Sequence, residues 1–148
     1  MANDHSGFKT LGNIDMNEKN LTHGVLTVRM TNKSGGSLAE GDVVIIDSGN
    51  DKSVKTTTTA GYELGPGVVR VGGADGAVVE VIFFGYIPKM LTTANSGTGR
   101  GQFLKTSTTA KKAQLSGTSG GAGDFAVAIT HAGGDGFLAA IFKTPEVY

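Results

Sequence analysis

A serine set among small residues, Gly117-Thr118-Ser119-Gly120-Gly121, is the segment of this chain that most closely imitates reactive chemistry. Flanking glycines let a backbone turn sharply and present a hydroxyl. That hydroxyl becomes a nucleophile only when a histidine takes its proton and a carboxylate orients the histidine. The histidines of this chain are His5, His23 and His131, far apart, with His23 inside Leu21-Thr22-His23-Gly24 and His131 beside a glycine turn that has a counterpart in the other half of the chain. No two of them stand at metal-ligand spacing, and there is no cysteine to complete a set. A small-residue loop between strands accounts for the segment without chemistry.

The remaining motifs fare no better. Gly72-Gly73-Ala74-Asp75 and Gly133-Gly134-Asp135 have the flavour of a calcium-binding glycine-aspartate repeat, but such sites are built from several tandem copies, and Asp-Gly suits a tight reversal. Gly97-Thr98-Gly99-Arg100-Gly101 is glycine-rich yet lacks the Lys-Ser/Thr end of a phosphate loop, and no helical pattern follows it. Lys111-Lys112 has the character of charge on a strand edge. No catalytic, cofactor-binding or metal-binding residue is assigned, so the expectation is a protein that is not an enzyme and needs no cofactor.

Composition narrows the classes further. Thirteen basic and thirteen acidic residues cancel, so the basic face that neutralises phosphates in a nucleic-acid binder is not in sight. A net charge of zero also offers little protection against self-association. No stretch approaches the ~18 apolar residues of a membrane span, and the first residues carry no basic segment followed by an apolar one, which points to synthesis in a cytoplasm. Without cysteine the fold must rest on its core, which 148 residues are enough to build.

The elements that would position any site are β-strands, and they come twice. Gly41-Asp42-Val43-Val44-Ile45-Ile46-Asp47, a Lys/Thr stretch at 54–59, and the run from Val68 to Phe83 around Gly72–Gly76 are followed by Gly101-Gln102-Phe103-Leu104-Lys105-Thr106, a second Lys/Thr stretch at 108–112, and the run from Phe125 to Phe142 around Gly133–Gly136. Gly41 and Gly101 lie sixty residues apart, as do Asp75 and Asp135, so one register covers both ends of a unit spanning about 41–83 and 101–142. What repeats is apolar residues and turn glycines, while Asp42 faces Gln102 and Glu80 faces Ala140. The 24 glycines, about twice the usual ~7% share, punctuate these runs. The predicted class is all-β, a compact barrel or sandwich built from two copies of a duplicated unit, with Val25–Met30 as an additional strand and Pro88 ending the strand before it.

Residues 1–23 differ from the rest and are read as an extended N-terminal arm, leaving 24–148 as a single β domain. Phe8, Leu11, Ile14 and Met16 are scattered through the arm without period-2 alternation, and Gly7 and Gly12 interrupt helical spacing. A disordered terminus is the bland account. So many large apolar side chains exceed what a solvating tail requires, which makes these four the candidate anchoring residues.

Leu38-Ala39-Glu40-Gly41-Asp42-Val43-Val44, the phrase Gly67-Val68-Val69, the strand Gly76-Ala77-Val78-Val79-Glu80-Val81 and the second pass from Gly101 to Phe142 together resemble the small capsid decoration, or cement, proteins of tailed bacteriophages. The resemblance spans about residues 25–142. It implies a compact β domain, commonly a homotrimer, that sits on the outer surface of an expanded capsid and stabilises the shell by bridging major capsid subunits. It also implies an N-terminal arm that orders against the shell, a virion location, and neither nucleic acid nor membrane as a partner. A tail or fibre module and a carbohydrate-binding β domain are the alternatives. A sugar site calls for exposed aromatics, and the chain has no Trp and only Tyr62, Tyr86 and Tyr148.

Overall fold

A computed structural model of the chain describes residues 25–93, 99–132 and 136–143, and within them the valine- and isoleucine-rich runs become strands. The strands are β1 (Val25–Asn32), β2 (Val43–Ile46), β3 (Ser53–Lys55), β4 (Pro66–Val71), β5 (Val78–Thr92), β6 (Phe103–Thr106), β7 (Ala113–Gly117), β8 (Asp124–Ala128) and β9 (Gly136–Phe142). No helix occurs among the described residues, so the all-β class holds.

The sheet closes into two rings. In the first, β1, β3, β2, β4 and β5 pair in that order and β5 returns to β1, every contact antiparallel except β1 with β3. The strand β5, 15 residues long, then runs on into a second ring of β5, β7, β6, β8 and β9, in which only β5 with β7 is parallel. At Gly85 the strand passes from one ring to the other with φ of 91°, a conformation that a residue with a Cβ rarely adopts. We call Val25–Phe84 the first unit and Gly85 onward the second.

At most positions the units pair alike. Val43 opposite Val68 recurs as Phe103 opposite Val127, Ile46 opposite Val54 as Thr106 opposite Ala113, and Val69 opposite Val81 as Ala128 opposite Ala140. Met30 opposite Val79 recurs as Met90 opposite Leu138, so the repeat extends beyond 41–83 and 101–142 to include β1 and the second half of β5. The shift is sixty residues through β2 and β6 but fifty-nine from β3 onward, which corrects the single register expected from Gly41 and Asp75. Its cause is a β2–β3 turn one residue shorter in the second unit. Asp47 N–H reaches Ser53 C=O in the first turn, and Ser107 N–H reaches Lys112 C=O in the second. Lys52 and Lys111, the non-glycine residues with positive φ among those described, occupy equivalent points in these turns.

Pro88 does not end its strand. It is exposed and falls where the β5–β9 register shifts between Ile87 and Met90, so the ladder does not need the N–H that proline lacks.

The interiors differ in content. Met30, Leu38, Val44, Val54, Val69, Val79 and Val81 fill the first ring, with Phe83 against them. At the places of Val54, Val69 and Val81 the second unit carries Ala113, Ala128 and Ala140, and its cluster is completed by Val25, Val43, Val68 and Ile82 from the first unit. Strand β2 shows how one run serves both cores. Val44 points into its own ring, Val43 packs with the second unit, and Ile46 at the end is exposed.

The backbone explains why the second ring needs its neighbour. In the first unit Thr31 N–H donates to Lys52 C=O at 2.8 Å, closing β1 onto the turn before β3. The equivalent groups, Leu91 N–H and Lys111 C=O, do not bond each other. Leu91 donates to Gly41 C=O at 2.8 Å and Lys111 accepts from Val43 N–H at 2.9 Å, so Gly41–Val43 of the first unit is wedged between them. Lys89 within 3.7 Å of Glu40, and Lys111 within 3.8 Å of Asp42, flank the wedge.

Candidate docking face

The anchoring candidates Phe8, Leu11, Ile14 and Met16 lie outside the described residues, as do His5 and His23. The chain that follows the arm enters the sheet at Val25, which pairs with Gly85 at the passage between the units. Ser119 is exposed, and its loop is held by Gly121 N–H donating to the Asp124 carboxylate at 2.6 Å while Gly120 lies against the Phe103 ring. That is turn geometry. His131 is exposed as well. Among the described residues no group of three or more His, Cys, Asp and Glu is gathered as a metal site, and no helix is long and apolar enough to cross a membrane.

A groove at the unit boundary, lined by Val25, Arg70, Ile82, Tyr86 and Pro88, has a volume of about 150 Å³. Pockets for small ligands are typically ~300–1,000 Å³. The groove is therefore too small to hold one, and its lining carries a single charged group.

What the geometry offers instead is an apolar surface. Leu26 and Phe84 are paired across β1 and β5 and each is 50% exposed. Two residues along β5, Tyr86 is paired with Ile141 on β9, at 40% and 46% exposure. Ile141 is paired with Val127, and Val127 with Phe103, so Tyr86, Ile141, Val127 and Phe103 form one row of direct cross-strand partners over four strands. Val127 and Phe103 are half-buried. Alternation explains the row. In the second unit Leu104, Ala126, Ala128, Ala140 and Phe142 take the inward positions, so their neighbours must face outward.

Three members of the row have counterparts in the first unit, Ile82, Val68 and Val43, again direct partners across strands, and there the row runs on to Thr27, whose counterpart in the second unit is Ile87, one residue from Tyr86. There Ile82, Val68 and Val43 are no more than 1% exposed, because the second unit covers them. The sequence reading did not single out either row. The signal that could have found one is the run Ile82-Phe83-Phe84, since three consecutive large apolar residues in a strand cannot all face one interior.

One acidic group is electrostatically distinct. Asp47 accepts hydrogen bonds from Asn50 Nδ2 at 2.6 Å and Gly49 N–H at 3.1 Å and lies 3.0 Å from the Lys55 ammonium. The Asn50 bond foremost, with Lys55 and Gly49, holds its carboxyl down at about 2. In the second unit Ser107 Oγ takes the place of that carboxylate, accepting from Thr109 N–H at 3.0 Å. The Asp47 cluster organises a turn.

No family model matches the chain, and no curated protein matches it. Among solved structures, the chain is similar to the N base of the head fibre gp8.5 of bacteriophage phi29, with a TM-score of 0.55 and 14% sequence identity over 80% of this chain and 94% of that one. At that identity the likeness is one of fold.

Proposed function

We propose that this chain is a non-enzymatic structural protein of a tailed-bacteriophage virion, carried on the outer surface of the mature capsid, where it stabilises the shell by bridging major capsid subunits. The observation that carries the reading is the shared fold with the phi29 head fibre base, since the match takes in nearly the whole of that chain and 80% of this one. The decoration-protein resemblance over residues 25–142 supports the same setting. Physically, modest contacts repeated over a lattice add stability when they are made only to the assembled, expanded state. Phe8, Leu11, Ile14 and Met16 are the proposed anchors to the shell or to a neighbouring subunit, with the major capsid protein as partner, a homotrimer as the working state, and neither nucleic acid nor membrane involved.

A second reading is favoured by the same fold match: a base module that roots a fibre on the head without strengthening the shell. The two separate in one experiment. Expanded heads of the cognate phage lacking this protein are incubated with the purified chain, then sedimented and heated. Decoration predicts binding in proportion to the capsid lattice and a higher disruption temperature. A fibre base predicts few copies per head and no thermal gain, and failure to sediment with heads overturns both. Deleting residues 2–20 is expected to leave thermal unfolding of the β units nearly unchanged while greatly weakening attachment. Undiminished attachment removes the arm from the proposal.

A further inference from the structure

We propose that the groove lined by Val25, Arg70, Ile82, Tyr86 and Pro88 is a socket for one carboxylate side chain presented by the outer surface of the shell, with Arg70 as the group that grips it. The inference rests on the reading of this chain as a protein that attaches to the phage head. A volume of about 150 Å³ is too small for a whole ligand and suits a single side chain. The floor is part of the packed seam, because Val25 and Ile82 are buried members of the cluster that joins the two units. Arg70, Tyr86 and Pro88 form an exposed rim.

Strand irregularities bring this rim together. Val69 is opposite Val81 and Val71 is opposite Glu80, so Arg70 is the extra residue of a bulge, the kind of feature that re-aims a side chain. Pro88 lies in the register shift of β5 against β9, and Tyr86 follows the positive-φ Gly85. The second unit keeps the same bulge, since Ile129 N–H and Thr130 N–H both donate to Ala139 C=O, but it carries Ile129 in the place of Arg70 and Ala139 in the place of Glu80. The bulge is common to both units, while the charge belongs to the first alone.

Charge selects the occupant. Among the described residues Arg70 makes no ion pair or hydrogen bond. Arg29 and Glu80 are opposite each other on β1 and β5 without forming an ion pair, and the next cation along β5, Lys89, is already paired with Glu40. The stretch thus holds two guanidinium groups, Arg29 and Arg70, and one carboxylate, Glu80, which leaves an uncompensated positive charge beside an apolar floor on a chain of net charge zero. A guanidinium takes a carboxylate through two parallel N–H donors, and the apolar floor accepts the short stem that carries it. Arg and Tyr around a pocket that closes to water are the residue types that dominate binding energy at interfaces.

The test uses the full chain and expanded heads of the cognate phage that lack it, with bound protein measured after sedimentation over a range of protein concentrations. Arg70→Gln should weaken attachment about thirtyfold. Arg70→Lys should weaken it less, because the charge is kept while the paired donors are lost. Attachment of the wild type should fall more steeply with added salt than that of Arg70→Gln. Arg100→Gln, which removes the same charge from an exposed position outside the groove, should attach as the wild type does. Thermal unfolding of each free variant should match the wild type, so that a loss of attachment is not a loss of fold. Equal attachment of Arg70→Gln and wild type, or equal losses at Arg70 and Arg100, overturns the socket and leaves head attachment standing. A wild type that does not sediment with heads overturns the attachment reading and the socket with it. If Arg70→Gln destabilises the full chain but not the chain lacking residues 2–20, the arm's own carboxylates fill the groove, and if it shifts the free chain to a smaller oligomer, a second copy fills it. Either result overturns the proposal.

Discussion

In the first unit Thr31 and Lys52 bond directly and close the ring. In the second, Leu91 and Lys111 are held apart by Gly41–Val43 and bond to it instead. Strand order and most pairings are otherwise shared, apart from a β2–β3 turn one residue shorter in the second unit, so the main difference lies in closure and in the side chains that accompany it. Valines at 54, 69 and 81 fill a ring that is complete by itself, and alanines at 113, 128 and 140 line one that is completed by three valines and an isoleucine from outside. A duplicated fold thus acquires an internal hierarchy. One copy is self-sufficient, and the other is a ring assembled on its neighbour.

The largest expected effect comes from cutting between them. A fragment of residues 25–84 contains every strand and the closing bond of the first ring, and it should unfold cooperatively on its own. Residues 85–148 lack the wedge and the four apolar residues that complete their cluster, and they should show no cooperative transition by circular dichroism. A second fragment that folds alone, or a first that does not, removes the hierarchy.

Much of this architecture is legible in the sequence, for physical reasons that also set the limit. Gly41 and Gly101 can be matched because both adopt positive φ, 93° and 76°, at the same turn before a strand, and β-branched runs such as Val43–Ile46 have few alternatives to a sheet. The kinship of Val25–Asn32 with Gly85–Thr92 is nearly invisible, since only Met30 with Met90 and Arg29 with Lys89 agree in character. Strand pairing demands parity and hydrogen bonds, not identity. Pro88 misleads for a related reason: a proline ends a strand only if its N–H was needed, and register shifts leave no mark in composition. The apolar row could be sensed as surplus hydrophobicity but not located, because which face of β5 is covered depends on the other unit. The arm candidates Phe8, Leu11, Ile14 and Met16 lie outside the described residues.

Next in size is the seam between the units. Gly123 has φ of 79°, and an added Cβ would sit against the Gly61 carbonyl oxygen of the first unit, a backbone group that cannot swing aside. Nearby, Thr106 Oγ1 on β6 donates to Thr59 C=O and accepts from Tyr62 N–H, stitching the same first-unit segment to the second unit. Gly123→Ala should cost about 2–4 kcal/mol, combining backbone strain with a steric clash. Gly76→Ala, at φ of 81° with open space around it, should cost only about 1 kcal/mol. Urea denaturation of both variants checks the comparison, and equal losses would mean that conformation alone is at stake, with no tight seam.

Exchanging core residues sharpens the contrast in packing. Val54→Ala in the self-filled ring should cost about 2 kcal/mol from lost burial and the cavity left behind. The reverse change at the equivalent place, Ala113→Val, should also destabilise, by roughly 1–3 kcal/mol, because that space is already taken by residues of the first unit. Both positions are 0% exposed, so solvation does not confuse the pair. If Ala113→Val stabilises the protein, the second interior is underfilled and the account of its alanines is wrong.

The smallest effect is confined to one turn and appears only in acid. Asp47, held at about 2 by Asn50, Lys55 and Gly49, has a folded-state pKa below its ordinary value near 3.8. Its contribution is therefore fully present above the ordinary value and is lost as pH falls through about 2. The second unit has Ser107 at the same place, accepting the same kind of turn bond without a titrating group. Asp47→Ser makes the first turn resemble the second and should abolish this component, so wild type and variant should differ in urea midpoint at pH 5 and converge toward pH 2. Backbone amide shifts of Gly49 and Asn50 should follow the titration in the wild type, while that of Thr109 should not. If Thr109 moves in step with Gly49, the two turns are coupled through the junction, and the units answer acid as one body.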